Sequence, residues 1–364
     1  MDIEPLPDVG VVGLTTAGQK YAATAMELDC SVVGADANEQ TRQQAQDELG
    51  IETYADFKTM FQSGIDAVIV ATPNRYHETA AIPALEADLD VFFEKPLAHT
   101  YESAERIADA AADTDSVCMV GYYFPCYEAV DVIKAHVEAR YFGEISHVEA
   151  RWVQRRAVPR RGSWYTSSEI AGGGVLQDKG SFLLHLLSYF GYPVEEIEVA
   201  SGKARSEFGN RDDYTSLRMW GGYAHENIFD VEDSISTFVQ FEGGKTATIE
   251  AAWAANLDSE VTLHIRGTDG GASLNVGTGD VTFYGVERGD PECLTTTDVE
   301  PDYAEELFHP DEDGPTTGVF RRRVFQQFLH YDSREDQPEH TTIQEAARVQ
   351  QAIQDIYDGV DDDI

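Results

Sequence analysis

Across its first third the chain alternates short apolar runs with alanine-rich stretches of helical period, and this alternation constrains the fold more than any other feature. Val9–Leu14 reads as a strand, Gly18–Leu28 as a helix, Ser31–Asp36 as a second strand and Glu39–Leu49 as a second helix. Ala67–Ala71, Val91–Glu94 and Val117–Gly121 are further strands separated by alanine-rich helices. Strand–helix–strand units of this kind build a doubly wound parallel sheet, here ending near Tyr122.

Beyond Tyr122 the pattern changes. A helix over Ala129–Ala139 leads through Gly143-Glu144 into a long strand, Ile145–Gln154, and after Gly172-Gly173-Gly174 a helix is expected from about Asp178 to Phe190. Longer alternating runs follow at Ile197–Ala204, Ile235–Phe241, Thr246–Trp253 and Val261–Arg266, punctuated by turns at Glu242-Gly243-Gly244 and Asp269-Gly270-Gly271. Phe320–Tyr331 and Thr342–Tyr357 read as closing helices, and Asp361-Asp362-Asp363 as a solvated tail. The expected organisation is α/β: a parallel-sheet domain over residues 1–122, then an α+β domain over 123–364 with a large open, mostly antiparallel sheet.

Composition narrows the class. At 364 residues and 42% hydrophobic content the chain can bury two cores, and no apolar run approaches the roughly 20 residues of a membrane helix. Met1 to Asp8 shows neither the basic region nor the apolar core of a secretory signal. Cys30, Cys118, Cys126 and Cys293 have no framework spacing, which suits a reducing cytoplasm. With 26 basic and 66 acidic residues the net charge is −40, which opposes binding to nucleic acid or to anionic membranes. Acid spread over a chain with clear apolar periodicity points to a salt-adapted cytoplasmic protein rather than a disordered one. The ten histidines are scattered and no metal-ligand spacing occurs, so no metal is expected.

Three turns fall at strand ends, where open α/β sheets bind ligands. The first reads Gly10-Val11-Val12-Gly13-Leu14-Thr15-Thr16-Ala17-Gly18. Gly13 and Gly18 occupy the outer slots of a dinucleotide fingerprint, while Thr15 stands in the middle slot, where its side chain either crowds the phosphates or donates to them. Asp36 ends the second strand 23 residues after Gly13, placed to accept from ribose hydroxyls or to cap the next helix. No basic residue follows at Ala37 or Asn38, which favours NAD and disfavours NADP. Thr72, Pro73 and Asn74 turn at the end of the next strand with His77 beyond, as a cofactor ribose site or as a helix start. Glu94-Lys95-Pro96 closes the Val91 strand; Lys95 is one of only seven lysines and is either a tuned proton carrier or half of an ion pair with Glu94.

Together these segments resemble the glucose–fructose oxidoreductase and inositol dehydrogenase family (Gfo/Idh/MocA), whose members show a glycine turn, an acid ending strand two, TPNxxH and then EKP. The likeness continues through Gly121, Gly143-Glu144-Ile145, Gly172 to Gly180 and Gly267 to Gly271, covering essentially the whole chain. It implies a Rossmann domain and NAD(P)-dependent hydride transfer to or from a sugar, polyol or related molecule. It also implies a cofactor site of Gly13, Thr15, Gly18, Asp36, Thr72, Pro73, Asn74, His77, Glu94 and Lys95. Lys95 then matches the lysine that binds the reacting oxygen, and Asp178 the aspartate on the helix lining the pocket. The open sheet is expected to bury its exposed face in a homodimer or homotetramer.

Two departures stand out. The family helix usually carries histidine four residues after its aspartate, and here that residue is Phe182; a histidine occurs instead at His185. Positions 178, 182 and 185 share one face of a regular helix, so His185 is either a third catalytic candidate or a core residue between Leu184 and Leu186. With Phe182 there, a member that binds nucleotide without redox turnover is the alternative reading, and a lyase or hydrolase use of transient oxidation is a third. The second departure is Tyr122-Tyr123-Phe124-Pro125-Cys126-Tyr127, an aromatic wall for a sugar face or plain core. Tyr123, Arg156 and Trp164 are the substrate-binding candidates; Arg155, Arg156, Arg160 and Arg161 suit either an anionic group or salt bridges to local acids.

Overall fold

The structure, a computed structural model, describes residues 6–217, 220–221, 228–287, 290–296, 318–331 and 333–363. They divide into two units: one holds the residues up to Tyr123 and from 318 to Ala347, the other those from Phe124 to Thr296 and from Arg348 onward. The chain thus returns to the first unit late in its course. Packing explains the return: in the helix Val319–Phe328, Phe325 and Phe328 lie with ring centroids 5.4 and 5.5 Å from Phe92, a core residue of the first sheet.

In the first unit six parallel strands run in the order β3-β2-β1-β4-β5-β6: β1 (Val9–Val12), β2 (Val32–Ala35), β3 (Glu52–Tyr54), β4 (Ala67–Val70), β5 (Asp90–Phe93) and β6 (Cys118–Val120). β1 sits between β2 and β4, Val9 pairing with both Val32 and Ala67, so the strand order reverses beside it. That switch point opens the crevice in which such sheets receive ligands. Helices α1 (Thr16–Glu27), α2 (Glu39–Leu49), α3 (Phe57–Met60), α4 (His77–Leu85) and α5 (Tyr101–Ala112) link the strands. Local chemistry starts several of them. Asn38 Oδ1 accepts from the Gln40 and Thr41 amides at the head of α2, and the Thr100 hydroxyl accepts from Ser103 N at the head of α5. β3 escaped the sequence reading because three residues at a sheet edge are too short to show a period.

The second unit carries a nine-stranded sheet in the order β14-β13-β12-β11-β7-β10-β9-β8-β15. Its strands are β7 (Ile145–Val153), β8 (Ile197–Arg205), β9 (Ser234–Phe241), β10 (Thr246–Ala252), β11 (Glu260–Gly267), β12 (Gly270–Asn275), β13 (Asp280–Glu287), β14 (Asp290–Thr296) and β15 (Asp361–Asp363). Pairing is antiparallel except between β7 and β10 and between β8 and β15. One face is core: Val148, Ala150, Trp152, Ile249, Leu263 and Ile265 are all buried. The other is open and polar, with Arg151 bridging Glu250 and Glu260 across strands and Arg266 pairing with Glu149. Helices α6 (Glu128–Glu138), α7 (Ser168–Ala171) and α8 (Ser181–Tyr189) complete the unit, with the later part of the closing helix Ile343–Gly359.

Two segments carry more structure than the sequence suggested. Asp361–Asp363, expected as a solvated tail, also pairs its backbone in parallel with Lys203–Arg205, where edge strand β8 offers unpaired backbone groups. The helix expected from about Asp178 to Phe190 is present, and its first turn is irregular. Leu176–Gly180 forms a π turn that runs directly into the α-helix Ser181–Tyr189. Such turns cluster at functional sites, and this one carries Asp178.

Candidate active site

In the first unit the strand ends converge as the glycine turn anticipates. Gly13 has φ +91°, and a Cβ there would stand 2.8 Å from the Ala71 carbonyl oxygen; one on Gly18 would lie 1.7 Å from Gly13 O. Only glycine allows β1, α1 and the end of β4 to approach this closely. Thr15 precedes α1 as its N-cap residue, with no side-chain cap bond, and Thr15 and Thr16 are exposed. The first turn of α1 holds no acidic residue, so its amides can face an anion, with Thr15 as an available hydroxyl. Asp36 does not cap α2, because Asn38 does. Instead its Oδ2 accepts from Leu14 N and its Oδ1 from Asn38 N, at 2.9 and 2.8 Å, which fixes the carboxylate between the ends of β1 and β2.

Thr72, Pro73 and Asn74 follow β4. The Thr72 hydroxyl oxygen is buried with no hydrogen-bond partner among the described residues. A buried polar atom without a partner is costly, and a ribose or amide group of a bound nucleotide would satisfy it. With the glycine cradle and Asp36, the residues present fit a nicotinamide dinucleotide. Asn74 is 3% exposed in a 3₁₀ turn begun by Pro73. His77 is fully buried, its Nδ1 3.1 Å from Leu97 O and its Nε2 2.9 Å from Thr72 O, tying the Thr72 turn to the segment after Lys95. Burial holds its pKa below the ordinary histidine value.

Lys95, at the end of β5, is 9% exposed. Glu94 faces α1: its Oε2 accepts from the Tyr21 hydroxyl at 2.8 Å. Burial first, and the Glu94 carboxylate next, push the Tyr21 phenol well above its ordinary range. Glu94 thus locks α1 to β5, one residue before Lys95.

In the second unit Asp178 is the centre of a polar cluster. Its Oδ2 accepts from the Trp253 indole N–H at 2.9 Å and lies 3.4 Å from Lys179 Nζ. That ammonium stands 4.8 Å from the Trp152 ring centroid and 5.7 Å from that of Trp220. Trp220 meets Trp253 edge-on at 6.2 Å and Tyr165 at 4.7 Å, and Tyr165 stacks on Trp164 at 3.7 Å. Indole faces beside a carboxylate and an ammonium are suited to a polyhydroxy ring, whose C–H faces stack and whose hydroxyls bond.

The π turn is held by a residue the sequence reading missed. Glu232 is 1% exposed and accepts from Gly174 N at 2.9 Å, Leu176 N at 2.8 Å and the Tyr357 hydroxyl at 2.8 Å. A Cβ on Gly174 would lie 1.9 Å from Glu232 O, so glycine is needed there. Next to it, Asp233 is fully buried and accepts from the amides of Glu207, Phe208 and Gly209, while its carbonyl accepts from Trp253 N. Burial raises the pKa of both carboxyls, and the N–H donors oppose that rise. No motif marks Glu232 or Asp233; the only signal was two acids in succession just before an apolar strand.

The remaining candidates are spread more widely. Phe182 is core: it is 1% exposed and packs 5.2 Å from Phe124 and 5.5 Å from Trp152. His185 is 1% exposed between the buried Leu184 and Leu186. Tyr123 belongs to the first unit and is 5% exposed, whereas Phe124 and Tyr127 are interior to the second. Arg156 reaches Thr215 O, Asn256 Oδ1 and the Tyr214 ring, and Arg161 pairs with Asp212. These two arginines therefore tie the loop before Trp164 to the segment around 212–215. Among the described residues no group of three or more His, Cys, Asp or Glu could hold a metal ion.

A doubly wound sheet with this glycine turn and strand-end carboxylate defines the first unit as a nucleotide-binding oxidoreductase domain. Residues 8–122 match the family described as "Oxidoreductase family, NAD-binding Rossmann fold", and residues 130–273 match the "GFO/IDH/MocA C-terminal domain". Among similar proteins is the provisionally named UDP-kanosamine synthase oxidoreductase subunit of Amycolatopsis mediterranei, 31% identical over 72% of this chain and 74% of that protein. Levoglucosan dehydrogenase of Pseudarthrobacter phenanthrenivorans is 28% identical over 74% of this chain and 73% of its own. D-xylose 1-dehydrogenase [NADP(+)] of Haloarcula marismortui is 27% identical over 72% and 69%. A solved levoglucosan dehydrogenase, in complex with NADH and L-sorbose, shares the fold with a TM-score of 0.78 at 23% identity, covering 97% of this chain and 96% of that one. The chain belongs to the Gfo/Idh/MocA oxidoreductase family.

Proposed function

We propose that the protein is an NAD-dependent dehydrogenase or reductase acting on a carbinol carbon of a neutral sugar, polyol or close derivative. Two observations carry this reading, one in each unit: strand-end turns that fit a nucleotide, with the unpartnered Thr72 hydroxyl, and an indole-flanked carboxylate–ammonium cluster at Asp178. The names of the similar proteins support the substrate class. Oxidising a carbinol removes a hydride and a hydroxyl proton; a nicotinamide held at the Gly13, Asp36 and Thr72 turns would supply the hydride acceptor. Lys95 holds the reacting oxygen and moves its proton. Asp178, whose Oδ2 meets Trp253 and Lys179, is the carboxylate that accepts from a sugar hydroxyl. No proton step is assigned to His185, so His185→Ala should leave the pH–rate profile unchanged.

Preference for NAD over NADP rests on Asp36, whose carboxylate would repel a 2′-phosphate. Arg42 is the residue that could weaken this preference, since its guanidinium donates to the carbonyls of Asp36 and Ala37. Fluorescence titration should give tighter binding for NADH than for NADPH. The decisive experiment is turnover of a panel of aldoses, polyols and inositols in concentrated salt. Lys95→Met should lower kcat by about 10²- to 10⁴-fold while NADH still binds. An undiminished kcat would remove the lysine from the mechanism, and tight NADH binding without turnover of any sugar would overturn the enzymatic reading.

Environment and assembly belong to the same proposal. The net charge of −40 and the free thiols of Cys30, Cys118 and Cys126 support a salt-adapted, cytoplasmic protein. Full stability in dilute buffer would argue against salt adaptation. Among the described residues no helix is long and apolar enough to cross a membrane. The open face of the second sheet, which exposes Phe238 at 42%, is assigned to a homodimer or homotetramer, and light scattering reads the mass directly.

A further inference from the structure

We propose that Lys179 is a positioning residue for Asp178 and supplies, from within the π turn, the cationic partner that Phe182 cannot. The inference rests on the sugar-oxidoreductase reading above. In a regular helix, successive side chains diverge and do not face each other. Here Asp178 and Lys179 share the π turn Leu176–Gly180, and their charged ends come within 3.4 Å at side-chain exposures of only 7% and 13%.

Three further contacts define the ammonium's place. It stands over the Trp152 and Trp220 faces at 4.8 and 5.7 Å, and the Trp253 N–H shares its carboxylate oxygen at 2.9 Å. Trp220 is itself anchored by its indole N–H on Ala157 O at 2.6 Å, so that wall of the box is held in place. Two donors on Oδ2 fix the rotation of the carboxylate. A charge so withdrawn from water is costly without a partner, and deleting either member leaves the other uncompensated. At position 182, one turn on, the side chain is interdigitated with Phe124 and Trp152 and can contribute no charge. One of only seven lysines in the chain is spent here.

The test compares wild type with Lys179→Met, Lys179→Arg and Lys179→Ala, each first shown to bind NADH as wild type does. Lys179→Met should lower kcat/KM for whichever of D-glucose, D-xylose or myo-inositol the wild type oxidises best by about 10- to 100-fold. Lys179→Arg should recover most of that loss, and n-propylammonium added to Lys179→Ala should raise its kcat in a saturable manner. A side chain that only filled space would show neither rescue. Wild-type turnover with Lys179→Met within twofold of it, or a loss that neither arginine nor the amine restores, overturns the inference alone. A wild type that neither oxidises nor binds any of the three sugars, judged also by tryptophan fluorescence in the presence of NADH, overturns the functional reading and this one with it.

Discussion

The two units hold their functional residues by opposite means. In the first, each key residue lies within a few positions of a parallel strand's carboxyl end, and glycines at 13 and 18 create the space. In the second, Asp178 sits on an irregular turn fixed by residues remote in sequence. Trp253 lies 75 residues away, Glu232 grips Gly174 across 58, and Tyr357 reaches Glu232 across 125. A crevice at strand ends follows from backbone topology alone, so short motifs suffice to build it. A pocket on a mixed sheet needs each polar atom satisfied individually, and buried carboxylates do that work here.

The largest test of this contrast is a methyl group added on each side. Gly18→Ala would set a Cβ 1.7 Å from one carbonyl oxygen and Gly174→Ala would set one 1.9 Å from another, and neither backbone atom can swing aside. Each change should cost about 3 kcal/mol of stability, read by thermal or urea unfolding in salt. Their functional effects should separate: Gly18→Ala loses NADH binding, whereas Gly174→Ala keeps it and loses sugar turnover. Equal loss of NADH binding in both variants would break the division of labour.

Glu232→Gln sharpens the comparison at an intermediate scale. Glutamine offers a single acceptor oxygen, but Gly174 N and the Leu176 N–Tyr357 hydroxyl pair approach different oxygens of Glu232. One amide would face an NH₂ group, at a cost of about 1 to 3 kcal/mol. The sugar KM should rise as the π turn loosens, with NADH affinity unchanged. Tyr357→Phe removes only one donor and should cost about 1 kcal/mol.

These contrasts also explain what could be read from the amino-acid order. Strands β1, β2, β4, β5 and β6 and helix α2 were legible because period is local; the cap of α2 is Asn38, and not Asp36 as the sequence allowed. The glycine turn, Asp36 and the Glu94-Lys95-Pro96 triad stand out in the sequence because candidate chemistry at strand ends uses short spacings. The bond from Tyr21 to Glu94 could not be read there, because it spans 73 residues. Lys179 and Glu232 went unnoticed for a related reason. A π turn has no sequence period that reveals it, and a buried acid looks the same in sequence as any of the 66 acids in this chain. The −40 charge masked the few carboxylates that are interior.

The smallest effect is a difference in pH dependence. His77, in the first unit, has a pKa lowered from 6.5 by burial, so the unfolded chain takes up its proton before the folded one does. Stability from this group is present above about 6.5 and falls as pH drops below that value toward the folded pKa. Glu232 and Asp233 behave in the opposite sense. Their pKa values are raised from 4.5 and 3.8, so the folded state binds those protons more tightly, and stability declines as pH rises from these values through the folded ones. Urea unfolding from pH 4.5 to 8 should resolve both limbs. His77→Gln should flatten the acid limb, and only in part, since burial lowers His99 and His147 as well. Asp233→Asn should flatten the opposite limb while lowering stability overall, because one of its three amide donors loses an acceptor. If His77→Gln altered the limb that Asp233→Asn flattens, or the reverse, the two groups would not titrate independently, and the ionic stability of the protein would have to be treated as one coupled system.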